Sequence, residues 1–201
     1  MRWDRLFDDL EDQLASEWEA ERAALDTEAE RLRLSRVALR EWLEAIAGQA
    51  GGATPSIELV DGTVLSGHVE GVGADWIALE PSGSRPATLL VPLSSIASIG
   101  MAHADVLRSA RPAATARSPL ADRLTLGYVL RDLVRRRAGV ALQLATGRLL
   151  TGTIDRAGAD HLDLALHDPG APRRASEVTG HRLVAFSAIA FVRVEHPTAL
   201  V

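Results

Sequence analysis

The stretch from Gly62 to Leu79 is written a second time 85 residues later, from Gly147 to Leu164. Gly62, Gly67, Gly73, Asp75 and Leu79 stand opposite Gly147, Gly152, Gly158, Asp160 and Leu164, so the shared glycines hold positions and are not a matter of composition. The match resumes at an offset of 93, where Val91 to Ile99 faces Val184 to Val192, which gives the second copy an insertion of eight residues. The pattern predicts a small β module used twice, and such a chain is better suited to binding than to catalysis.

Along the chain the apolar period changes in step with that reading. Residues 1 to about 47 contain no Gly or Pro and are rich in Ala, Leu, Glu and Arg, which predicts a long helix. Trp3, Phe7, Leu10 and Leu14 follow 4-3-4 spacing and form one apolar stripe on an acidic helix, a surface for a protein partner or a second copy. From Ser56 the period becomes two. Ile57, Leu59, Leu65, Val69, Ile77 and Leu79 read as inward positions, with tight turns at Asp61-Gly62 and around Gly73. Ser118 as N-cap and Pro119 at the first helical position predict a second helix ending at Gly139. Leu142, Leu144, Leu150, Ile154, Leu162, Leu164, Val184, Ile189 and Val192 are the inward residues expected after it. The expected division is a helical arm (1–50), a first barrel (51–101), a linker (102–118), a helix (119–138) and a second barrel (139–196).

The order of bent strands, and the pattern apolar-x-Leu-x-x-Gly-x-x-Leu-x-Gly-x-Val-x-x-x-Gly-x-Asp, resemble the first motif of the Sm and Sm-like proteins over residues 57–79 and 142–164. Val91 to Ile99 and Val184 to Val192 resemble the shorter second motif. The resemblance implies an α+β, mainly β fold of two five-stranded small β-barrels, each preceded by a helix, with a long N-terminal helical arm. The family's nucleotide pocket does not carry over. Its Asp and Asn positions hold Gly73 and Ile77 in one copy and Gly158 and Leu162 in the other, and its Arg-Gly pair is replaced by Pro92-Leu93 and Ala185-Phe186. The chain also resembles actinobacterial proteins labelled as transcriptional regulators of the Fis type, but no helix-turn-helix pair accompanies that likeness.

Composition narrows the chemistry. The absence of cysteine excludes disulfides, thiolate metal sites and cysteine nucleophiles. No Gly-x-Ser-x-Gly elbow, phosphate-cradling glycine loop or HExxH occurs, so neither an enzyme nor a cofactor is expected. No apolar run reaches the ~18 residues that span a bilayer, and the acidic start is unlike a signal peptide, so a cytoplasmic protein is expected. All 22 basic residues are arginine, a usage that fits a GC-rich bacterial genome. Residues 1–100 hold 8 Arg against 18 acidic residues, net −10, while residues 101–201 hold 14 against 9, net +5. Arg135, Arg136, Arg137, Arg148, Arg156 and Arg182 could therefore meet phosphates, or could pair with acidic side chains.

Two further candidates need weighing. Trp76 points away from the face of Ile77 and Leu79, and is either covered by a helix or a neighbouring module or exposed as a stacking platform. His161, Asp163 and His167 share strand parity, but His167-Asp168-Pro169-Gly170 reads as a turn, so no metal site is expected. The expected function is a non-catalytic interaction module that binds a protein partner or itself through the N-terminal helix. The alternative is a regulatory RNA- or DNA-binding protein that uses the Arg-rich second barrel.

Overall fold

The structure, a computed structural model, describes residues 2–47, 54–83, 87–109, 123–171 and 173–194. It divides into two units, residues 1–39 and residues 40–201.

The first unit is α1 (Arg2–Leu34), 33 residues long. The helix expected to run to about residue 47 breaks at 35–38. Ser35 turns its hydroxyl back onto the Leu32 carbonyl (2.8 Å), a local bond that competes with helix continuation. Arg36 N–H and Val37 N–H close short i−3 bonds that end the turn. The side chains of Trp3, Phe7 and Leu10 lie outside the described residues. Leu14 is exposed, as are Trp18, Leu25 and Leu32 along the same face of the helix.

The second unit opens with α2 (Leu39–Ala47), of which Leu39 belongs to the first unit. Five strands follow, β1 (Ser56–Leu59), β2 (Val64–Val72), β3 (Trp76–Pro81), β4 (Thr88–Pro92) and β5 (Ile96–Gly100). After α3 (His103–Ser109) and α4 (Leu126–Arg136) come β6 (Gly139–Leu144), β7 (Leu149–Ala157), β8 (His161–Leu166), β9 (Gly180–Ala185) and β10 (Ile189–Val194). α3 lies in the expected linker. α4 begins at Leu126; the start expected at Ser118 and Pro119 lies outside the described residues. The connection between β8 and β9 (167–179) is longer than that between β3 and β4 (82–87).

The two closed barrels do not form. All ten strands make one open antiparallel sheet in the order β5-β1-β2-β3-β4-β10-β6-β7-β8-β9. Each half runs fifth-first-second-third-fourth, and the fourth strand of one half pairs with the fifth strand of the other, Leu90 opposite Val192 and Leu89 opposite Arg193. The cause is composition. Leu89-Leu90-Val91 is apolar on both faces, and a strand with two apolar faces must be covered on both. β2 and β7 carry register shifts at counterpart positions, Val69/Gly71 and Ile154/Arg156, and such bulges bend a long strand.

Two clusters of apolar side chains result. Leu43 and Ile46 of α2 pack with Ile57, Leu59, Val69, Ile77, Leu79 and Val91 on one face of the first half. The opposite face of β3 and β4, carrying Trp76, Ala78 and Leu90, joins α4 (Leu126, Val129, Leu130, Leu133) and the core of the second half. α4 is thus held between its own strands and the neighbouring half.

Candidate assembly surface

The β2–β3 turn, Gly73-Ala-Asp-Trp76, grips the start of α4. Ala74 N–H (2.9 Å) and the Trp76 indole N–H (2.8 Å) both donate to the Leu124 carbonyl, and Leu126 N–H donates to Asp75 Oδ1 (2.7 Å). Thr125, at the N-cap of α4, makes no side-chain cap bond, so Asp75 supplies the acceptor from another element. The ring of Trp76 lies over Gly73 so closely that a Cβ there would overlap it. Trp76 is 6% exposed, which sets aside an open stacking platform.

The β7–β8 turn, Gly158-Ala-Asp-His161, has the same frame. Gly158 N–H donates to the His161 carbonyl (2.8 Å) as Gly73 N–H does to that of Trp76 (2.8 Å), and Phe186 N–H donates to the Asp160 carbonyl (2.7 Å) as Leu93 N–H does to that of Asp75 (2.9 Å). The His161 ring lies over Gly158 as the indole lies over Gly73. From the helices, Arg131 donates to the Gly158 carbonyl (3.1 Å) and Arg40 to that of Gly73 (2.7 Å). Here the turn grips no described helix start. The Asp160 carboxylate is 89% exposed and meets the neighbouring His161 Nδ1 (2.8 Å), a hydrogen bond that is the first cause of a carboxyl held below the usual range.

The same contrast continues across the sheet. Leu90 is fully buried at the junction with β10, whereas its counterpart Leu183, on the edge strand β9, is 75% exposed. Ala78 corresponds to Asp163, and Trp76 to His161. Between these residues and α4 lies a groove of about 750 Å³, lined by Tyr128, Arg131, Val134, Gly158, His161 and Leu183.

The arginines do not gather into one basic field. Arg135 and Arg136 both pair with Asp132 (2.9 and 2.6 Å), and Arg156 pairs with Asp163 (2.6 Å). Arg137 closes α4 in the left-handed region at φ 51°, while Arg148 and Arg182 lie exposed on the β6–β7 turn and on β9. His161, Asp163 and His167 also go to separate partners: His167 is buried, with Nε2 on Thr153 Oγ1 (2.8 Å) and Nδ1 on the Asp168 carbonyl (3.0 Å). Among the described residues no cluster of His or acidic side chains converges to hold a metal ion, and no helix is long and apolar enough to cross a membrane.

Arg173 forks onto both Asp155 oxygens (2.6 Å each). Its hydrogen bonds are the first cause of an Asp155 carboxyl below its ordinary value, opposed by partial burial and helped by the charge of Arg173. A carboxyl depressed in the folded state adds stability above its unfolded pKa of about 4 and loses it as pH falls through the folded value. Asp155→Asn is therefore expected to be less stable than the parent at neutral pH, with the gap closing below about pH 4, as read by urea melts over a pH series.

Sequence reasoning treated the two copies as alike and so missed Asp160, Leu183 and the groove. The available signal was where they differ: Trp76-Ile-Ala-Leu79 against His161-Leu-Asp-Leu164, and Leu89-Leu-Val91 against Arg182-Leu-Val184. An unbroken apolar run marks an interior strand, and alternation marks one with a solvated face. The chain matches no family model, no curated protein and no solved structure.

Proposed function

We propose that this chain is a non-catalytic interaction module, built from two copies of one β unit, that joins copies of itself edge to edge. The observation that carries the reading is the pair Leu90 and Leu183, one sealed inside the sheet by β10, the other exposed on an edge with no such neighbour among the described residues. At the opposite end of the sheet is β5, the counterpart of β10. One chain therefore carries both halves of the joint it already uses internally, and an unpaired strand edge is a template for another strand. The contact is heterologous, so it continues or closes on itself and does not stop at a two-fold dimer. The exposed residues of α1, Leu14, Trp18, Leu25 and Leu32, offer a second surface to a protein partner or another copy.

Sedimentation of the full chain over a range of micromolar concentrations tests this. Reversible association beyond a dimer is expected, weakened by at least about tenfold in Leu183→Asp, which places a charge in the joint. Association that persists in Leu183→Asp but is lost in Trp18→Ser/Leu25→Ser would assign self-assembly to α1 instead. Steeply salt-dependent binding to an RNA or DNA pool would favour a nucleic-acid function.

A further inference from the structure

We infer that the Gly158–His161 turn is a receptor for a backbone segment, and that its occupant is the stretch entering α2, residues 35–39, of a second copy of the chain. The inference rests on the edge-to-edge reading and adds to it the site where a helix start is held.

The turn is a preformed copy of one whose ligand is visible. At Gly73–Trp76 the bound group is a helix entrance: a carbonyl, from Leu124, taken by a backbone N–H and a ring N–H, and two residues on an N–H, from Leu126, taken by a carboxylate. The second turn presents the backbone N–H and the carboxylate of that set in matching places. Ala159 N–H stands where Ala74 N–H stands, and no backbone carbonyl among the described residues takes it. The imidazole of His161 lies where the indole lies, with its Nδ1 on Asp160. Asp160 replaces Asp75, with its carboxylate in solvent.

Two features of the fold name α2 as the occupant. In the joint inside the chain, the half whose fifth strand adds to β4 also sends its helix to the turn beside β4. If β5 of a second copy adds to β9, with Ile99 opposite Leu183 by the same register, the helix arriving at Gly158–His161 is the one that precedes β1, which is α2. Its entrance also resembles that of α4. Leu39, the first residue of α2, is exposed, whereas Leu126, the first residue of α4, is buried against the first half. Val37 and Ala38 bring no side-chain oxygen to cap α2, just as Thr125 makes no cap bond on α4.

The test is sedimentation of full-length Asp160→Ala, His161→Ala and Leu39→Ser beside Leu183→Asp, with thermal melts to show that these exposed positions leave the fold intact. Removing a charged acceptor from a helix start is expected to weaken association about tenfold in Asp160→Ala, and Leu39→Ser is expected to act in the same direction. If Leu183→Asp abolishes association while Asp160→Ala and His161→Ala leave it unchanged, the turn is no receptor and the edge-to-edge reading stands without it. If Asp160→Ala weakens association and Leu39→Ser does not, α2 is not the occupant. A parent chain that stays monomeric overturns both proposals.

Discussion

Trp76→Ala is expected to lower the unfolding free energy by about 3–5 kcal/mol, the usual cost of removing a large buried aromatic. The ring belongs to the cluster that joins the β3–β4 face to α4 and the second half, so the cavity would open at the seam between halves. Deletion would also strip a hydrogen bond from the Leu124 carbonyl at the start of α4. The counterpart His161→Ala removes a half-exposed ring that carries no helix start among the described residues and is expected to change stability by no more than about 0.5 kcal/mol. Urea melts of the two variants give the comparison. Equal costs would mean that the two turns are not occupied differently.

Gly152→Ala is expected to cost about 3 kcal/mol or more, at the upper end for overpacking, because the obstacle is backbone. A Cβ at residue 152 would overlap the Ala165 carbonyl on β8, and the same atom at Gly67 would overlap the Glu80 carbonyl on β3. Neither strand can yield without breaking the β7–β8 or β2–β3 ladder. Gly83→Ala, where a Cβ meets nothing within 4 Å, is the control and is expected to be near neutral. A mild effect at both Gly67 and Gly152 would show that the strands do not approach as closely as described.

Much of the interior was legible in the chain. Leu142, Leu150, Ile154, Leu162, Leu164, Val184, Ile189 and Val192, read as inward from their alternation, all lie in one cluster, with Leu144 packed against it. Period-two patterning reports which face of a strand is dry, and that is settled locally. Strand pairing is not local. Nothing in the spacing of Gly62 to Ile99 states whether β4 closes onto its own half or pairs with β10; that depends on the second apolar face of Leu89-Leu90-Val91, which registers only when set beside His181-Arg182-Leu183. The resemblance to small barrels worked against that comparison, since it favours closure within each copy. The break at 35–38 was hidden for a different reason. Ser35, Arg36 and Val37 are tolerated in helices, and the end shows only in the structure, where the Ser35 hydroxyl bonds the Leu32 carbonyl and the Arg36 and Val37 N–H groups close i−3 bonds. The candidate surface was the least legible part, because Gly158-Ala-Asp160 repeats Gly73-Ala-Asp75 residue for residue, and only the residues that follow, His161-Leu-Asp163 against Trp76-Ile-Ala78, mark the difference.

The most direct test of edge-to-edge assembly is amide hydrogen exchange on the full chain at low and high protein concentration, followed strand by strand. β4 and β10 are expected to be protected at both, because their pairing is internal. The outward amides of β9 and β5 are expected to exchange quickly when dilute and to slow together as concentration rises, along with Ala159 in the turn. Exchange in β9 and β5 that is fast and independent of concentration would contradict assembly through these edges.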